Sequence, residues 1–179
     1  MIVENRFGKF LAFLGHEKSG GRMEYRLISE FFEADHDRLD ELFKNYQEAK
    51  AGDLPGAKEK FNAFQSGLRR HIVWEEEILF ALFENRTGMF TSGPTAVMRE
   101  EHRQIKEHLQ SIDQKLSNND VHCEPEENRL LGVLTVHNQK EEEILYPAID
   151  RMAVEGDKKW VFEAIENLSE ETKLAPSRL

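Results

Sequence analysis

The chain is poor in the residues that mark secreted, fibrous or membrane-embedded proteins. Among 179 residues there is one cysteine, Cys123, so no internal disulfide can form and a disulfide-stapled fold is excluded. Only 5 prolines and 11 glycines interrupt the chain, too few for collagen-like or linker-rich architecture. Long apolar runs are missing as well. The stretch Phe10 to Leu14 is a five-residue patch ending at Gly15, short of a signal-peptide core, and nothing approaches the roughly 20 apolar residues of a spanning helix. Positive charge is scarce: 24 Lys and Arg stand against 34 Asp and Glu, a net charge of -10. The electrostatic attraction that draws proteins to phosphate backbones or anionic lipid therefore has the wrong sign, which argues against nucleic acid and membrane partners. A cytoplasmic location is expected.

What is present reads as helix. With 39% hydrophobic and 32% charged residues, the chain can bury one core, and its length suits a single domain spanning residues 1–179. From about Met23 to Gln47, Ile28, Phe32, Leu39, Phe43 and Tyr46 recur at three- and four-residue steps, the spacing of one buried helix face, and His36 falls on that stripe. Gly52 and Pro55 break the pattern. A second stripe of Phe61, Phe64, Leu68, Ile72, Leu79 and Leu82 contains His71 and Glu75. A third of Met98, Ile105, Leu109, Ile112 and Leu116 contains His102, and a fourth of Leu130, Leu134, Leu145, Ala148 and Met152 contains His137 and Glu141. These spacings predict an all-α, antiparallel, up-down four-helix bundle over residues 22–155. An N-terminal arm (1–21) carrying Phe7, Phe10 and Leu14 precedes it, and a short C-terminal helix near Lys159 to Leu168 with a frayed tail follows (156–179).

The chain repeats itself. His36 and His71 are spaced as His102 and His137 are, and the second half follows the first at an offset of 66. The segment His71-Ile-Val-Trp-Glu75-Glu-Glu-Ile-Leu-Phe80 aligns without gaps on His137-Asn-Gln-Lys-Glu141-Glu-Glu-Ile-Leu-Tyr146. Residues four apart on a helix share a face about 6 Å along the axis, so each His-x-x-x-Glu aims an imidazole and a carboxylate at one point. Taken singly, a histidine on an apolar face is an ordinary core residue. Taken together, four histidines and two glutamates on core stripes call for metal, because two buried ionised carboxylates without partners would disrupt the fold. Imidazole suits Fe, Zn, Cu and Ni, and carboxylates can bridge two cations. Glu76, Glu77, Glu142 and Glu143 read as solvated neighbours of this set. His16, His108 and His122 read as surface, Trp74, Tyr46 and Tyr146 as plain core, and Cys123 as a loop residue without function.

The pattern His36, His71-x-x-x-Glu75, His102 and His137-x-x-x-Glu141 resembles the hemerythrin-like cation-binding (HHE) domains over about Met23 to Met152. The resemblance implies that His36 and His71 hold one iron and His102 and His137 the other. Glu75 and Glu141 would bridge them, with an oxo or hydroxo bridge completing a non-haem di-iron centre. Oxygen-carrying hemerythrins have a fifth histidine four residues after the first on the third helix, where this chain has Lys106. His108 does not replace it, since six residues turn a helix by about 240°. The four-histidine, two-glutamate set is similar to di-iron proteins of iron-centre repair, although the N-terminal cysteine-bearing domain that often accompanies those is not expected here. Each iron would keep one open position, with Lys106 lying near the His102 iron. The expected ligand is NO, O2 or peroxide, with a protein redox partner, in stress response or iron-sulfur cluster repair. The alternatives are an O2 carrier or sensor without catalysis and an interaction protein with a structural metal. Ferritin-type sites use a lone Glu on two helices and Glu-x-x-His on the others, which this chain lacks.

Overall fold

A computed structural model describes the backbone of residues 27–174 and the side chains of residues 27–168. The expected N-terminal arm and the tail after Leu174 lie outside the described residues. Helix α1 covers Ile28–Lys50. Helix α2 runs over residues 54–87 as three continuous parts: Leu54–Trp74, a π-helical turn Glu75–Leu79, and Phe80–Thr87. Helix α3 covers Pro94–Ser117. Helix α4 runs over residues 124–152 in the same three-part form, Glu124–Lys140, a π-helical turn Glu141–Leu145, and Tyr146–Met152. Helix α5 is Glu155–Leu174. No strand occurs among the described residues.

Local chemistry sets the boundaries. Asp53 accepts a hydrogen bond from the Gly56 N–H at 3.0 Å and so satisfies one of the donors that a helix start leaves open. Helix α2 ends at Gly88, whose φ of 75° is a left-handed value that a side chain would resist. Gly93 (φ 88°) and Pro94 then start α3. The start of α1 is capped from across the bundle: the Asp150 carboxylate on α4 accepts the Ile28 N–H at 2.8 Å and the Ser29 N–H at 3.3 Å, an acid placed at the positive end of a helix. Long helices joined by connections this short must run back on one another, which gives the antiparallel up-down order. Helix α1 packs along α2, α3 along α4, α2 against α3, and the C-terminal part of α4 against α1.

Two features depart from the sequence reading. First, the helices that carry the glutamates are not α-helical throughout. In each π turn the chain inserts one extra residue, so the Phe80 N–H donates to the Glu75 carbonyl and the Tyr146 N–H to the Glu141 carbonyl, five residues back. The inward face beyond the turn shifts by one position. Phe80 and Phe83 join the core on α2, and on α4 Tyr146 and Ile149 take the buried places expected for Ala148 and Met152, which are half-buried. Leu134 is also only half-buried. Second, the C-terminal helix is 20 residues long rather than short, running from Glu155 to Leu174. Its Val161 and Ile165 pack beside the π turn of α2, and Arg86 reaches both Asp157 oxygens at 2.8 and 2.6 Å.

The core divides into two apolar layers. One contains Phe32, Trp74, Ile78, Met98, Leu145 and Ile149. The other contains Leu39, Phe43, Leu68, Ile105, Leu109 and Leu130. Cys123 lies in the loop before α4, as expected, and is buried in this second layer. His36, His102 and His137 fall at the sequence boundary between the layers, as His102 does between Met98 and Ile105, and His71 lies within one turn of it, so a polar stratum crosses the bundle between them.

Candidate metal centre

His36, His71, Glu75, His102, His137 and Glu141 are all buried, 3% exposed or less. The structure brings all six together. They form two adjoining groups, His36, His71, Glu75 and Glu141 on one side and Glu75, His102, His137 and Glu141 on the other, with the facing donor atoms of each group within 4.8 Å of one another. Both glutamates belong to both groups. Glu75 turns Oε1 to His71 Nε2 (3.5 Å) and Oε2 to His102 Nε2 (3.1 Å), while Glu141 Oε2 lies 3.6 Å from His36 Nε2 and 3.3 Å from His137 Nε2.

The imidazoles are aimed by a second set of carboxylates. His71 Nδ1 lies 2.9 Å from Asp35, His36 Nδ1 3.0 Å from Glu142, His102 Nδ1 2.9 Å from Glu76, and His137 Nδ1 3.1 Å from Glu101. An ionised carboxylate can only accept, so each Nδ1 carries its proton and donates, which turns Nε2 toward the centre. Histidines that hold metals are oriented in this way. The four acids join the helices in a ring: α1 to α2, α2 to α3, α3 to α4 and α4 to α1. Glu76 and Glu142 therefore are not solvated neighbours, whereas Glu77 and Glu143 are exposed as expected. Asp35 and Glu101 gave no apolar-stripe signal. The signal that marks all four is the repeat, since Asp35 and Glu101, and Glu76 and Glu142, are related by the same offset as the histidines.

Cations stand outside this ring. Arg38 Nε donates to Asp35 at 2.6 Å, Lys140 pairs with Glu101, and Lys106 Nζ donates to Glu76 at 3.2 Å. Lys106 therefore faces the acid behind His102 rather than the centre itself. Burial alone would raise the Asp35 carboxyl, but the hydrogen bonds from His71 and Arg38 bring it down to about 2. The His102 hydrogen bond lowers Glu76 despite partial burial. Burial raises Glu101, and Lys140 and His137 more than offset it.

Inside the ring, protons stand in the places of cations. Burial disfavours a charged His71, yet the Glu75 charge and the Asp35 hydrogen bond raise it to about 9. Burial likewise opposes the Glu75 charge, but His71 and His102 hold this carboxylate ionised, while burial and the neighbouring Glu75 charge push Glu141 up and keep it protonated. His137 drops to about 4, chiefly through burial. Even so, His71 Nε2, Glu75 Oε2 and Glu141 Oε1 are buried without a hydrogen-bond partner. Buried polar atoms rarely go unpartnered, and three of them converging between four imidazoles fit a pair of cations.

Tyr146, read from the sequence as plain core, stands inside the site. Its hydroxyl donates to Glu75 Oε1 at 2.5 Å and lies 3.1 Å from Glu141 Oε2 and 3.4 Å from His36 Nε2. Trp74 and Tyr46 are core residues as expected. Trp74 carries Arg70 over its ring, and the Tyr46 hydroxyl donates to Glu127 at 2.6 Å. His122 is exposed and His108 half-buried, neither with a contact to the site, and His16 lies outside the described residues.

Fold and site together define a helical bundle with a buried histidine–glutamate cluster able to bind metal, its side chains projecting inward from all four helices. Residues 27–149 match the hemerythrin HHE cation binding domain, and the chain belongs to that family. No curated protein and no solved structure matches it.

Proposed function

We propose that this chain is a non-haem di-iron protein that binds or reacts with NO, O2 or peroxide in a stress response, in the cytoplasm and with a protein redox partner. The observation that carries this reading is the sharing of Glu75 and Glu141 between the two groups, because shared carboxylates with two imidazoles on each side fit two adjacent cations rather than one. The iron pair would supply electron transfer to a small oxidant. The chain's own residues supply the rest: Asp35, Glu76, Glu101 and Glu142 hold four neutral imidazoles in register, the two apolar layers keep bulk water and large substrates out, and Tyr146 keeps a proton on the site. A dry site reached through packed side chains admits diatomic or peroxide-sized ligands. A role in repair of iron-sulfur clusters is supported by the four-histidine, two-glutamate pattern.

Metal analysis and absorption of freshly purified protein test the reading. We expect two irons per chain and a near-ultraviolet absorption that anaerobic reduction bleaches. One metal per chain, or zinc at full occupancy, would overturn it. Reversible spectral change with O2 and no turnover of NO or peroxide would favour a carrier or sensor instead.

A further inference from the structure

The two halves of the centre carry the same histidines and glutamates, each imidazole backed by a carboxylate, up to the position after each π turn. There the repeated sequence Glu-Glu-Glu-Ile-Leu is followed by Phe80 in one half and Tyr146 in the other. Both side chains are fully buried, and each ring lies against a site histidine. Phe80 stacks on His102 with centroids 5.6 Å apart and planes 8° apart, and Tyr146 lies 5.8 Å from His36 at 34°. The backbone placement is thus the same, and the difference is one hydroxyl.

Of the four site histidines, that hydroxyl reaches only His36, and the Glu75 oxygen it meets is the one turned to His71. It contacts oxygens of both glutamates and His36 Nε2, three of the four residues that form the His36–His71 side. Phe80 presents only a ring face to the His102–His137 side, and it carries no hydroxyl. A buried hydroxyl is costly unless hydrogen-bonded, so the Tyr146 oxygen is held where Glu75 and Glu141 satisfy it and fills the space it occupies. The hydroxyl thus takes up room beside His36 that a further ligand would need, and Phe80 puts no oxygen at the equivalent point beside His102.

We infer that Tyr146 closes the His36–His71 side of the centre and that small exogenous ligands bind on the His102–His137 side. This rests on the di-iron reading above and corrects the sequence-based expectation of one open position at each metal. It makes Tyr146 the residue that decides where a ligand lands. The repeat supplies the complementary substitution, because Phe80→Tyr places a hydroxyl at the equivalent point of the other half.

The chain is stripped of metal, reloaded anaerobically with iron(II), assayed for iron, and titrated with NO while uptake per iron is counted spectroscopically. Two irons and one NO per chain are expected for the wild type. Tyr146→Phe should keep its iron and take up two NO, and Phe80→Tyr should keep its iron and take up none. Phenylalanine is already accommodated at the repeat-related position, so Tyr146→Phe is expected to fold, and counting per iron removes any effect of partial loading. Two NO per chain in the wild type, or equal uptake by the wild type and both variants, would overturn this inference alone. Zinc in the natively purified protein would overturn only the iron reading, because the count is made on reloaded chains. Reloading to fewer than two irons per chain would overturn both.

Discussion

At the residue scale the carboxylates behind the histidines separate structure from first appearance. Glu76 and Glu77 are neighbours, yet Glu76 accepts from His102 and Glu77 faces solvent. Glu76→Ala and Glu142→Ala should each weaken iron binding by about 10- to 100-fold, the usual loss when the partner of a ligating histidine is removed. Glu77→Ala and Glu143→Ala should leave it unchanged, and competition with a chromophoric chelator reads both pairs. Equal affinities across the four variants would show that the outer carboxylates do not set the imidazoles. Proton release provides a second check. Because Glu75 and Asp35 raise His71 to about 9 in the metal-free chain, His71 carries a proton at neutral pH that a cation must displace. The sign follows: affinity should fall as pH drops below about 9, by about tenfold per pH unit for one proton. Calorimetric titration in buffers of different ionisation enthalpy counts that proton, and a value of zero would mean that His71 is already neutral.

At the scale of the element the π turns matter most. Each one begins at a glutamate of the site and moves the face beyond it by one residue, which is what brings Phe80 and Tyr146 against the histidines. Deleting Glu77 would let α2 close into regular α-helix while leaving the His71–Glu75 spacing intact. Phe80 and Phe83 would keep their places in the core, because the π turn absorbs one residue and its removal restores the register of a regular helix. The deletion should therefore leave the denaturation midpoint close to that of Glu77→Ala, by circular dichroism in urea. A midpoint far below it would show that the extra residue is needed for packing and is not merely absorbed by the turn. The periodicity of the sequence shows these stretches as continuous helix because five-residue and four-residue hydrogen bonding share the same apolar composition.

For the whole molecule, the polar stratum sits between two apolar layers that each span all four helices, so the helices do not depend on metal to associate. Removing metal should leave helical content nearly intact yet lower thermal stability, since a ligand at 100 times its Kd adds about 2.7 kcal/mol, or about 5–10 °C for a domain of this size. Scanning calorimetry of stripped and reloaded chain measures the difference, and coincident melting curves would mean that the centre contributes nothing to the native state. The fold class, the four helices and the six central residues were legible in the sequence because helical spacing and an internal repeat are properties of order along the chain. His36 and His102 could be placed on inward stripes, and Glu75 and Glu141 one turn from a histidine, without coordinates. Contacts between helices are not ordered in that way. That Asp35 reaches His71 on the next helix, that Lys106 turns to Glu76, and that Tyr146 but not Phe80 puts an oxygen into the centre were decided only when four helices packed at fixed rotation, because a side chain's partner across a bundle depends on the register of two helices and on each added residue in a π turn.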